Sequence, residues 1–201
     1  MRAGTLLAWC GLLAGAALLP PPTAAAQTAP AFTLPALMAQ LAKVRESSAS
    51  FTETKSLALL TTTLQSSGTL RYAAPDYVRK TTLTPAPQDF VLQNNTVTLS
   101  QNGQIKRFTL SQAPQLAGLV EGVRATLAGD LPALAHYYTL SLSGGPAHWQ
   151  LLLRPRDPAL ASMLAWMSIT GQDSRITEID SADAKGGETK MQVNETIQHA
   201  P

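Results

Sequence analysis

Between Ser48 and Leu110 the chain is a run of short segments rich in Thr, Val, Leu, Tyr and Phe, interrupted by Gly, Pro and Asn. That spacing spells successive antiparallel strands joined by tight turns. Asn94-Asn95 and especially Asn102-Gly103 are the sharpest marks, because a two-residue hairpin needs φ > 0 at both central positions. A meander this long must curl, or pack one face on helices, to keep that face from water. Two amphipathic segments flank it. The chain is therefore expected to be α+β: a curved antiparallel sheet with helices in its concavity and room there for an apolar ligand.

The first helix is predicted over Phe32–Glu46. Leu34, Leu37, Met38, Leu41 and Val44 form one stripe at helical period. Thr33 suits the N-cap, Pro35 falls in the first turn, and Lys43 and Arg45 suit the C-terminal end of the dipole. Strands are expected over Ala49–Leu59, Thr62–Ala73, Tyr77–Thr84, Phe90–Gln93, Val97–Gln101 and Ile105–Leu110. Gly68 within the second marks a bulge or a close backbone approach. Pro114–Asp130 carries a second stripe of Leu116, Leu119, Val120, Val123 and Leu127, stopped by Gly129. Gly118 and Gly122 each weaken this helix by about 1 kcal/mol relative to Ala, and also let it lie close to a neighbour or move. Leu131–Tyr137 adds a short helix, and Pro158–Leu164 one or two helical turns. Thr139–Ser143 and His148–Arg154 form a hairpin about Gly144-Gly145. Ala165–Thr170, Arg175–Ser181 and Glu188–Glu195 complete the strands, with Gly186-Gly187 turning between the last two.

The first residues have a different purpose. Arg2 precedes an uncharged, mostly apolar stretch from Thr5 to Leu19, shorter than the roughly 20 residues a spanning helix needs. Ala24 and Ala26 occupy the small positions of an Ala-x-Ala cleavage site. Residues 1–26 are thus expected to be a secretory signal peptide cleaved near Ala26, with 27–201 as one mature domain. The proline run Pro20–Pro22 speaks against an uncleaved anchor. Cys10, the chain's one cysteine, lies inside this segment, and Trp9 stands where a lipidation signal wants a small residue. The mature chain then has no thiol for a disulfide or a metal. It is long enough to fold on its core alone.

The balance of 15 basic and 13 acidic residues gives a net charge of +2, which leaves no basic footprint for nucleic acid. Charged residues make up only 14%, with Thr, Ser, Gln and Asn filling the surface instead. Catalytic signatures are absent: there is no Gly-x-Ser-x-Gly, no His-Glu-x-x-His, no calcium loop and no phosphate loop. His136 and His148 flank a predicted hairpin, and His199 sits at the chain end. Ser143-Gly144-Gly145 is a turn, and the strand carboxylates Glu53 and Glu178 stand alone in the sequence. A hydrolase would need a nucleophile and a base brought together. An esterase acting through the histidines is the enzymatic alternative. The favoured expectation is a binder, not an enzyme, with no cofactor, no metal and an apolar ligand.

The order of motifs resembles a known family. An apolar helix leads to Ser50-Phe51-Thr52, then Gly68-x-Leu70, Pro75-x-x-Val78-Arg79 and a strand–turn–strand over Asn94-Asn95. Arg124-Ala125-Thr126-Leu127-Ala128-Gly129-Asp130, Trp149-x-Leu151-x-Leu153-x-Pro155 and Ile169-x-Gly171 follow. This is similar to periplasmic outer-membrane lipoprotein carriers of the LolA type, in a divergent branch. The resemblance implies an incomplete, half-open β-barrel covered by helices, the LolA/LolB-like architecture. It implies a monomeric periplasmic carrier for lipoprotein or related lipid acyl chains. Its partners would be an inner-membrane ABC-type releasing complex and an outer-membrane acceptor. A non-catalytic accessory protein of a lipid or aryl-polyene-type export system is the alternative role. Two positions depart from the pattern. Ala74 stands where the carriers place an arginine that helps hold the helical lid, so that latch is missing or lies elsewhere. Lys80 stands where they favour an aromatic residue.

Period-two alternation groups Leu70 with Tyr72, and Val78 with Lys80 and Thr82; the resemblance points the second set inward. The residues expected around an apolar cavity are Leu37, Leu41, Leu70, Tyr72, Val78, Lys80, Leu92, Leu99, Leu119, Val123, Leu127, Trp149 and Leu151. Ordinary core packing is the competing expectation for each, the tryptophan above all. An inward Lys80 would snorkel to the mouth or meet an anionic headgroup.

Overall fold

The computed structural model describes residues 31–57 and 63–199. The expected signal peptide, together with Leu59 and Thr62 of the first hairpin, lies outside the described residues. Helix α1 (Leu34–Leu41) leads to strands β1 (Glu46–Ser56), β2 (Thr63–Ala73), β3 (Tyr77–Thr84), β4 (Gln88–Gln93), β5 (Thr96–Gln101) and β6 (Gln104–Thr109). Helices α2 (Pro114–Ala128) and α3 (Leu131–Tyr137) come next, then β7 (Tyr138–Gly145) and β8 (His148–Pro155). The short α4 (Pro158–Ala161) precedes β9 (Leu164–Gln172), β10 (Arg175–Asp183) and β11 (Glu188–His199).

All eleven described strands belong to one curved, unclosed antiparallel sheet, in the order β6-β5-β4-β3-β2-β1-β11-β10-β9-β8-β7. Two meanders are therefore joined in the middle by pairing of β1 with β11, from Glu46 opposite His199 to Ser56 opposite Glu188. The turn chemistry matches the sequence. Asn94, Asn95, Asn102 and Gly103 all have positive φ, and each pair sits between strands in two-residue register. Gly68 lies at a register shift between β2 and β3. A Cβ there would stand 1.9 Å from the Thr81 carbonyl oxygen, so the position admits only glycine.

Two expectations are corrected. Helix α1 stops at Leu41, not Glu46, and β1 begins at Glu46. Glu46 is claimed by the sheet ladder, opposite Ala73 of β2 and His199 of β11, the Arg45 carbonyl accepts from the Ala74 N–H, and Val44 keeps its buried place from the connection. Lys43 and Arg45 therefore lie beyond the helix. The β7–β8 hairpin turns at Pro146-Ala147, since Gly145 pairs with His148 and Gly144 with Trp149 inside the ladder.

The helices meet the concave side. Leu37, Met38 and Leu41 of α1 pack with Leu134 and Tyr138, and with Trp149, Leu151, Leu153 and Ile169 from β8 and β9. A second, smaller cluster joins Leu92 and Val97 to Leu110 and Ala117, under the start of α2. Gly129 ends α2 with φ 65°, and a Cβ there would meet the Met38 carbonyl at 2.2 Å. The α2 terminus is thereby pressed against α1.

Candidate functional site: an apolar cavity beneath helix α2

The two clusters do not meet. Between them lies a cavity of about 360 Å³, bounded by α1, α2 and the inner faces of β1–β4, β10 and β11. Its roof is Leu119, Val120, Val123 and Leu127 of α2, with Leu41 and Val44 beside them. The first three and Leu127 lean on one cluster or the other, so the roof is held at both sides. Its floor alternates along the strands: Ser47, Ala49 and Glu53 on β1, Leu70 and Tyr72 on β2, Val78 and Lys80 on β3, Phe90 on β4, and Thr189, Met191 and Val193 on β11. Small residues at the sheet centre, Ser47 and Ala49, leave the space open where larger ones would fill it.

The register settles the faces. Leu70 stands opposite Lys80 and Tyr72 opposite Val78, so the two groups read from the sequence share one inward face. Eight of the named candidates line the cavity: Leu41, Leu70, Tyr72, Val78, Lys80, Leu119, Val123 and Leu127. Leu37, Trp149 and Leu151 lie in the larger packed cluster instead, each fully buried. Leu92 lies in the smaller cluster, and Leu99 packs against it. Ile176, Ile179, Ser181, Met191 and Val193 also line the space. Met191 and Val193 alternate in the sequence, and their face is fixed by β11 lying beside β1; Ile176 and Ile179 differ in parity and share the face only through the bulge between Ile176 and Glu178.

The charged groups of the wall are paired. Lys80 Nζ donates to Glu53 Oε2 at 2.5 Å, and Ser66 Oγ donates to Glu53 Oε1 at 3.3 Å. The ammonium also lies 4.8 Å from the centre of the Phe51 ring, a cation–π distance. Lys80 thus has a carboxylate partner inside the protein, and Glu53 does not stand alone. Both residues fall on the inward parity of their strands, which is the signal that could have joined them. Glu178, on the other face, accepts from Gln192 Nε2 at 2.5 Å.

Arg124 projects from α2. Its Nε and Nη2 donate to Glu121, and its Nη1 donates to the Pro75 carbonyl at 3.2 Å. Asp130 lies 3.7 Å away. The guanidinium therefore ties the roof helix to the β2–β3 turn, beside Ala74. Tyr72 is 2% exposed, and its hydroxyl is buried with no hydrogen-bond partner among the described residues. Burial raises its pKa, against the opposing fields of Arg124 and Arg45.

Neither His136 nor His148 lines this space. His136 is exposed on α3, edge-on to Tyr137 at 4.7 Å, and His148 is exposed at the start of β8. The His199 side chain lies outside those described. Among the described residues no three His, Cys, Asp or Glu are placed to share a metal ion, and no helix is long and apolar enough to cross a membrane.

A family model described as outer membrane lipoprotein carrier protein LolA-like matches residues 24–200. No curated protein matches the chain. Among solved structures, a LolA superfamily protein from Nitrosomonas europaea is similar at 13% identity and a TM-score of 0.46, over 85% of this chain and 96% of that one. The Mycobacterium tuberculosis lipoprotein LppX is similar at 9% identity and a TM-score of 0.42, over 83% and 97%. The Pseudomonas aeruginosa MucA/MucB complex contains a chain similar at 18% identity and a TM-score of 0.42, over 84% of this chain and 58% of that one.

Proposed function

Because the chain belongs to the LolA-like family of outer membrane lipoprotein carriers, we propose that it is a periplasmic carrier that shields an acyl chain of a lipoprotein or related lipid on its way between membranes. The observation that supports this reading is the apolar cavity of about 360 Å³ roofed by α2. Each methylene taken out of water contributes about 0.8 kcal/mol. A space measured against the ~30 Å³ share of one water in the liquid holds about a dozen methylene-sized units. The gross gain is then on the order of 10 kcal/mol before the costs of association are subtracted. That is enough to carry a chain through water and small enough to release it. Export by the signal peptide, a releasing complex at the inner membrane and an acceptor at the outer one complete the proposed cycle. Under this reading the role is non-catalytic, the site enclosing an apolar chain and transforming nothing.

Native mass spectrometry of the chain purified from periplasm tests this. An acylated molecule is expected to accompany the wild type and to be lost in Val123→Trp, which fills the cavity from its roof, while the fold stays intact by circular dichroism. A wild type that carries nothing, and takes up no acyl probe, would remove the carrier reading.

A further inference from the structure

The cavity is not uniformly greasy, and its charges are arranged for a particular kind of head. Three cations touch its wall. Arg71 pairs with Glu46 at 3.9 Å, in the open. Arg124 spends its donors on Glu121 and the Pro75 carbonyl. Lys80 differs: among the described residues its one hydrogen-bond acceptor is Glu53, and beyond that bond and the Phe51 ring face its ammonium has donors left for a further acceptor. Glu53 in turn keeps lone pairs beyond those met by Lys80 and Ser66. The two side chains retain 28% and 16% exposure. Met191, directly opposite Glu53, lies two residues from Thr189, which pairs with Ser181 across the β10–β11 ladder; both hydroxyl residues line the cavity.

We propose that the Glu53–Lys80 pair is the headgroup-reading end of the cavity, and that it selects a single-chain lipid whose head is uncharged and rich in hydroxyl or ester groups. The inference rests on the carrier reading. Lys80 alone would attract an anion. With Glu53 on it, an anionic head meets a carboxylate as close as the ammonium, and a cationic head meets the reverse. A hydroxyl or carbonyl takes a spare Lys80 proton and donates back to Glu53 without either repulsion. The volume of the space, about a dozen methylene-sized units, matches a single such tail.

The test uses the mature chain with N-phenylnaphthylamine as a fluorescent occupant, displaced by monolaurin, laurate or dodecylammonium below their micelle concentrations at pH 8. The wild type is expected to take monolaurin in preference to both ions. Glu53→Gln bares the ammonium and should shift the laurate-to-monolaurin affinity ratio about tenfold towards laurate, the scale of a hydrogen bond to a charged group. Lys80→Met should shift preference towards dodecylammonium in the same way. Should either variant fail to fold, the wild-type order still decides. Laurate bound by the wild type as well as monolaurin, or ratios that folded variants leave unmoved, would overturn headgroup reading while leaving carriage standing. Failure of all three ligands to displace the fluorophore would overturn both.

Discussion

At the scale of single residues, two buried polar atoms find no hydrogen-bond donor or acceptor of good geometry among the described residues. The Tyr72 hydroxyl is buried without a partner among the described residues, which costs about 1–3 kcal/mol against a satisfied group. Tyr72→Phe keeps the ring against Val78 and removes the orphan. The ligand-free protein should gain about 1 kcal/mol, a rise in Tm of about 2–4 °C for a chain of this length. A fall in Tm would mean that the hydroxyl has a partner in solution. Asp180, on the outward face of β10 between Ser168 and Lys190, has a buried Oδ1 that no donor reaches among the described residues, and its carboxyl lies against that of Glu178. Burial, with the neighbouring Glu178 carboxyl, pushes its pKa up to about 6, against the pull of Lys190. An acid whose folded pKa lies above its unfolded value of about 4 favours the fold in its protonated form. That contribution is whole below about pH 4 and is lost as pH rises through about 6. Urea denaturation from pH 4 to pH 7 should therefore show the wild type losing stability relative to Asp180→Asn, and the difference should level off above the folded pKa.

Helix α2 is the element that decides whether the cavity is closed, and its glycines decide how close it lies. A Cβ at Gly122 would stand 2.9 Å from the Tyr138 hydroxyl, and one at Gly118 would stand 2.5 Å from the Leu160 Cδ2 tip. Tyr138 cannot yield, because it is 1% exposed and its hydroxyl donates to the Gly118 carbonyl at 2.7 Å. A leucine methyl can turn aside. Both substitutions gain helix propensity of about 1 kcal/mol. Gly118→Ala is expected to stay close to wild-type stability, whereas Gly122→Ala should lose about 1–3 kcal/mol by overpacking. Equal losses in chemical denaturation would refute this distinction. The glycines that weaken the helix on paper thus let it seat, and Arg124 then fastens it to the β2–β3 turn from the helix side.

For the whole molecule, the decisive contact is the pairing of β1 with β11, from opposite ends of the described chain. It places β11 at the centre of the sheet and brings Met191 and Val193 into the cavity floor. Removal of residues 188–201 would expose two inner strand edges at once. The truncated chain is expected to show no cooperative thermal transition by circular dichroism, where loss of an edge strand would merely lower the midpoint. What the sequence determined by itself was local. Turn residues with positive φ placed the hairpins, alternation gave each strand a buried face, and two apolar stripes gave the covering helices, because these depend on neighbours within a few residues. Lys80 was expected inward by resemblance, whereas Glu53 read as a carboxylate standing alone. The tertiary structure alone decided that the two meet, that Trp149 and Leu151 close into core while Leu70 and Val123 face a gap, and that α1 ends at Leu41 with a short connection before the sheet. Those outcomes depend on which distant strands become neighbours and on how much volume their side chains fill, and a gap in packing has no residue of its own to announce it.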